Sequence, residues 1–170
     1  MNLLRPQDIF LLLALVANRD RKEWTYDRLA AQLGMSASQA FRSLKRAEAS
    51  HLFDRSSRRV RHPELLEFLS HGIRYAFAAE PGGFQRGVPT CWNAPTLDGL
   101  IQLSADEPFV WPAPHGTARG QAIEPLHSGV LVASGENEEL YRLLALTDIL
   151  RVGSARERKV AKEELKKALQ

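Results

Sequence analysis

Residues 25–53, TYDRLAAQLGMSASQAFRSLKRAEASHLF, constrain the fold more than any other stretch of the chain. Leu29, Ala30 and Leu33 are spaced as the buried stripe of a short helix, and Thr25 stands where it can cap the start. Gly34 comes next, and glycine enters the left-handed conformation that ends a helix at little cost. Ser36 and Gln39 make an S-x-x-Q capping box, so a second helix starts almost at once. Over an expected helix 37–50, Ala40, Leu44 and Ala47 turn to the core, while Ser38, Gln39, Arg42, Lys45 and Arg46 turn outward. Two helices joined so tightly form a helix-turn-helix, whose second helix fits the major groove of DNA.

The residues after that helix extend the pattern. Leu52-Phe53-Asp54 and Arg59-Val60-Arg61 read as two short strands around the turn 55–58, the place where a winged helix-turn-helix carries its wing. Charge supports the same reading. Residues 1–62 hold twelve basic side chains against six acidic, residues 63–135 three against seven, and residues 136–170 eight against seven. The net charge is only +3, yet its surplus sits on the segment that would face phosphate. Arg42, Lys45 and Arg46 offer donors to phosphate and guanine edges; Ser36, Ser38 and Thr25 can donate to phosphate. Gln39 could read adenine, but its capping role folds it back on Ser36, so Arg42 is the expected base reader. Arg55, Arg58, Arg59 and Arg61 are expected to reach the backbone or the minor groove from the wing. Phe41 is expected to pack beneath that wing.

The remaining elements suggest an α+β chain, mainly α. Pro6 and Asp8 open a first helix to about Asn18, apolar on two sides, so it needs a second cover from the C-terminal segment or from another subunit. Pro63 starts a short helix that ends near Gly72, and the alternation over Ile73–Phe77 reads as a strand. Between Glu80 and Ser134 lie seven of the nine prolines, and an irregular, partly β lobe is expected there. Within it, strands are expected near Gly99–Leu103, Phe109–Trp111 and Gln121–Ile123. A helical stripe of Leu140, Leu143, Leu144, Thr147 and Leu150 comes after the lobe, and Ser154 caps a last, charged helix to Leu169 that is exposed or faces a partner. The expected divisions are 1–72 for DNA binding, 73–135 for the lobe, and 136–170 for dimerisation or partner binding.

Other chemistries find little support. Cys91 is the single cysteine, so no internal disulfide framework exists, and a cytoplasmic setting is expected. The apolar run Ile9–Ala17 is about half a membrane span. The five histidines lack the i, i+3 or i, i+4 pairing of metal ligands. Gly82–Gly87 resembles a phosphate loop but lacks the Gly-Lys-Ser/Thr ending, so its glycines read as turn residues. No metal, cofactor or enzymatic activity is expected.

The run from Leu29 to Phe53 resembles the recognition core of bacterial winged-helix regulators of the MarR-like kind, matching at Leu29, Ala30, Leu33, Gly34, Ser36, Arg42, Leu44 and Leu52. It departs at Ala40 and Ala47, where larger aliphatics are usual, and at His51, where that kind often has glycine. Arg74–Phe77, Arg86–Thr90, Arg119–Leu126 and Arg151–Arg158 resemble small winged-helix antitoxins and autoregulators encoded beside nucleotidyltransferase-type toxins. The resemblance implies a protein that binds its own double-stranded operator DNA; a homodimeric repressor is expected because a palindromic site read by two recognition helices needs two copies. The alternative it leaves open is an antitoxin or adaptor that holds a toxin or other partner protein through residues 73–170.

Overall fold

A computed structural model of the 170-residue chain describes residues 3–19, 23–100 and 108–170. The chain is an α+β protein, mainly α, in which helix α1 (Pro6–Ala17) organises the rest. Every residue from Ile9 to Ala14 is wholly removed from solvent. Each large aliphatic side chain so buried contributes about 1.5–3 kcal/mol, which is why neither side of α1 is left in water. Helix α3 (Ala37–Ala49) covers one side and helix α7 (Glu138–Val152) covers the other. The second cover is thus the chain's own C-terminal segment.

Before α3 comes α2 (Tyr26–Leu33), ended by Gly34 in the left-handed conformation at φ +67°. Local hydrogen bonds set both helix starts. Thr25 Oγ1 accepts from the Arg28 amide at 3.2 Å, and Ser36 and Gln39 exchange bonds of 3.1 and 2.8 Å. A hairpin comes next, with β1 (Phe53–Asp54) antiparallel to β2 (Arg59–Val60) and Phe53 opposite Val60. It leads into α4 (His62–His71) and the single turn α5 (Ile73–Ala76). Residues 73–76 are therefore helical, with Phe77 as the cap, where alternation over 73–77 pointed to a strand. Ile73 and Phe77 are also four apart, a spacing that puts both on one face of a helix turn. There Phe77 meets Phe68, ring centroids 6.0 Å apart.

The lobe is built on β3 (Phe84–Thr90), β4 (Phe109–Pro112) and β5 (Ala118–Ala122). Strand β3 runs antiparallel to the other two, β4 and β5 are parallel, and the three close on themselves as a small barrel. The expectation of turn glycines over Gly82–Gly87 fails from Phe84 onward. A Cβ on Gly87 would stand 2.2 Å from the Trp111 carbonyl oxygen, so this glycine admits a crossing strand rather than a turn. Gly120 does the same against Pro108 O, at 2.1 Å. Strand β5 also starts earlier than expected, at Ala118, and leaves Ile123 outside. Of the strand expected at Gly99–Leu103, Gly99 and Leu100 lie in a turn, and 101–103 fall outside the described residues.

The C-terminal part adds α6 (Val130–Glu136), which the lobe's composition concealed, then α7 and α8 (Ala155–Ala168). Helix α7 is buried nearly all round from Leu143 to Arg151, not along one stripe, because α1 and the lobe both pack on it. Its Asp148 carboxylate accepts from Thr90 Oγ1 at 2.8 Å, Trp111 Nε1 at 2.7 Å and Arg151 Nη1 at 2.9 Å. One hydrophobic cluster takes in Leu12, Leu44, Trp111 and Leu146, joining all three parts of the chain. No helix among the described residues is long and apolar enough to cross a membrane.

Candidate nucleic-acid interface

Helix α3 has two faces of different chemistry. Ala40, Leu44 and Ala47 are buried against the core, while Ser38, Phe41, Arg42 and Lys45 recur at helical spacing on the solvent side. Ser36 and Gln39 are exposed at its start, but the Gln39 side-chain oxygen is engaged by the Ser36 amide. That leaves Arg42 and Lys45 as the cations displayed by this helix.

Arg46 is not among them, which corrects the outward placement read from helical spacing. Its guanidinium turns back to α1 and holds Asp8 with two hydrogen bonds, Nε to Oδ2 at 2.9 Å and Nη2 to Oδ1 at 2.7 Å. Nη2 also donates to Ser43 Oγ at 3.1 Å, and Ser43 accepts from Gln7 Nε2 at 3.0 Å. Asp8 has no solvent exposure, and its Oδ2 further accepts from the Arg5 amide at 2.8 Å. A buried carboxylate demands such a partner. Arg46 therefore sets the seat of α3 on α1 and is buried rather than displayed to solvent.

The hairpin is shaped by its own polar groups. Asp54 accepts from the Ser56 amide at 3.0 Å, from Ser56 Oγ at 2.7 Å and from Ser57 Oγ at 2.9 Å. Those serine bonds hold the Asp54 carboxyl down to about 2. At the tip Arg58 adopts φ +58° and is tied to the segment before α2. It donates to the Trp24 carbonyl oxygen at 2.8 Å, and its guanidinium lies 4.1 Å above the Trp24 ring. Arg55 sits 5.4 Å from the Phe41 ring and 3.6 Å from the Glu48 carboxylate. Phe41 thus lies under the hairpin residue Arg55 and edge-on to Tyr26, yet keeps 40% of its surface in solvent.

Two roles separate among the hairpin arginines. Arg55 and Arg58 are exposed but brace the hairpin on Phe41 and Trp24, each cation–π contact contributing about 0.5–1 kcal/mol at such a site. Arg59 and Arg61 are exposed and, like Arg42 and Lys45, form no ion pair among the described residues. Trp24 and Tyr26 went unnoticed in the sequence. They stack edge-on at 5.3 Å, and Trp24 also meets Phe53 at 6.3 Å, so one aromatic row joins α2, α3 and the hairpin. Their position on either side of the cap Thr25 was the available signal.

Away from this surface the single thiol is enclosed. Cys91 is buried beside Asp148, and burial pushes its thiol well above the ordinary value. Among the described residues no three His, Cys, Asp or Glu side chains are grouped to hold a metal ion. No family model, curated protein or solved structure matches the chain.

Proposed function

We propose that residues 1–72 form a winged helix-turn-helix and that the chain is a sequence-specific DNA-binding transcriptional regulator. Helix α3 enters the major groove with Arg42 as base reader and Lys45 beside it, and Ser36 and Ser38 donate to phosphate. Arg59 and Arg61 contact the backbone from the wing, and Arg55 and Arg58 hold that wing in place. The observation that carries the reading is a set of four exposed cations, Arg42, Lys45, Arg59 and Arg61, displayed by adjoining elements and without an ion pair among the described residues. A palindromic site about one DNA turn across needs two copies of such a module. Helix α1 does not supply the pairing surface, because α3 and α7 already enclose it.

The test is binding of the protein to the DNA immediately upstream of its own gene, against random DNA, at moderate salt. Arg42→Ala is expected to relax sequence preference at a cost of about 1–3 kcal/mol, whereas Arg59→Ala weakens all DNA alike and lowers the salt slope by about 1. Equal binding of upstream and random DNA by the wild type would end the regulator reading.

A further inference from the structure

Helix α8 carries a second cationic surface. It buries Ala161 and Leu165, with Leu169 at its end, while Glu164 is drawn inward by Arg142 at 2.5 Å and Lys167 at 2.7 Å. Glu157 is engaged at the other end, where its carboxylate accepts from the Ser154 amide at 2.7 Å. The solvent side shows Arg156, Lys159, Lys166 and Lys167, with Lys162 half-buried and Glu163 the acid among them. This helix ends against the base of the hairpin. His62, the residue after Arg61, places Nδ1 3.2 Å from the Leu169 carbonyl oxygen, and Arg19 donates to Ala168 O at 3.0 Å. The C-terminal end of α8 therefore lies beside the residue that follows Arg61, and the helix that bears these cations is about 20 Å long at the α-helical rise.

We propose that α8 is a second phosphate-contacting element, which extends the DNA footprint beyond the hairpin by about six base pairs of flanking duplex. The proposal rests on the DNA-binding reading and adds a surface to it. Charge complementarity and continuity with the hairpin favour DNA as the occupant. A second copy is disfavoured, since a two-fold contact would set this cationic face against itself.

The test uses the full chain with Arg156, Lys159, Lys162 and Lys166 changed to Gln, a good helix former. Lys167 stays because it holds Glu164. Wild type and variant are titrated by fluorescence anisotropy against random-sequence duplexes of about 14 and about 26 base pairs, from about 50 to about 200 mM salt. Circular dichroism checks the fold. On the longer duplex the variant is expected to lose up to about 3.6 of the log–log salt slope, about 0.9 per lost contact, while matching wild type on the shorter one. If the variant equals wild type on the longer duplex while Arg42→Ala and Arg59→Ala still weaken binding, the role of α8 is overturned and the DNA reading stands. If the wild type binds neither duplex, both fall.

Discussion

Asp54 shows how a single side chain can shape the exposed tip of a hairpin. With three serine donors on one carboxylate, the hairpin tip closes in a way that a bare loop of arginines, repelling one another, would resist. The folded carboxyl is held down to about 2, below the ordinary 3.8, so the ionised form favours the folded hairpin. Its contribution is complete above pH 3.8 and is lost as pH falls through about 2. An NMR titration of the Asp54 carboxyl is expected to show a midpoint near 2, with the Ser56 amide shifting alongside. A midpoint at the ordinary value would mean that the serines do not hold the tip. His51 makes a related point about backbone. It adopts φ +63°, the left-handed region that side chains other than glycine rarely enter.

Elements are legible when their determinants are close in sequence. The Thr25 cap, the Gly34 stop and the Ser36–Gln39 box each act within three residues, and the structure has all of them. Arg46 failed the same treatment because its partner Asp8 lies 38 positions away, and a helical wheel cannot show a long side chain swinging back across the helix. Strand β3 was hidden for a similar reason. Gly87 serves a strand crossing with Trp111, and nothing near it in sequence distinguishes that from a turn. The seat of α3 can be tested directly. Arg46→Ala strands a buried charge and should cost about 3–5 kcal/mol in chemical denaturation, whereas the exposed Arg42→Ala should change stability by about 0.5 kcal/mol or less. Equal effects of the two substitutions would show that the Asp8 pair does not hold α3.

At the scale of the whole molecule, the turn that aims α3 is pinned by a distant part of the chain. Gly129, just before α6, lies so close to the end of α2 that a Cβ there would stand 1.9 Å from the Leu33 carbonyl oxygen. Nearby His127 stacks on Phe10 of α1 at 5.7 Å, and Asn137 at the start of α7 donates Nδ2 to Asn18 Oδ1 at 3.1 Å. These ties make residues 1–72 dependent on the lobe and the C-terminal helices, a dependence that no composition shift announces. Gly129→Ala is expected to destabilise by about 1–3 kcal/mol or more, and to shift the amide signals of Leu33–Ser36. Gly135→Ala, inside α6 with open space around it, should instead stabilise by about 0.5–1 kcal/mol. Thermal unfolding of the two variants separates the signs, and a harmless Gly129→Ala would mean that the lobe does not brace the turn.

The three-stranded closure also limits how the protein can meet other chains. Each of β3, β4 and β5 already pairs with both of its fellows, so none of the three offers a full-length unpaired edge. Among the described residues an incoming chain therefore finds no full-length edge on which to add a strand of its own. A chain that met the lobe would rely more on side chains, and so on residue identity, than on a long run of backbone pairing.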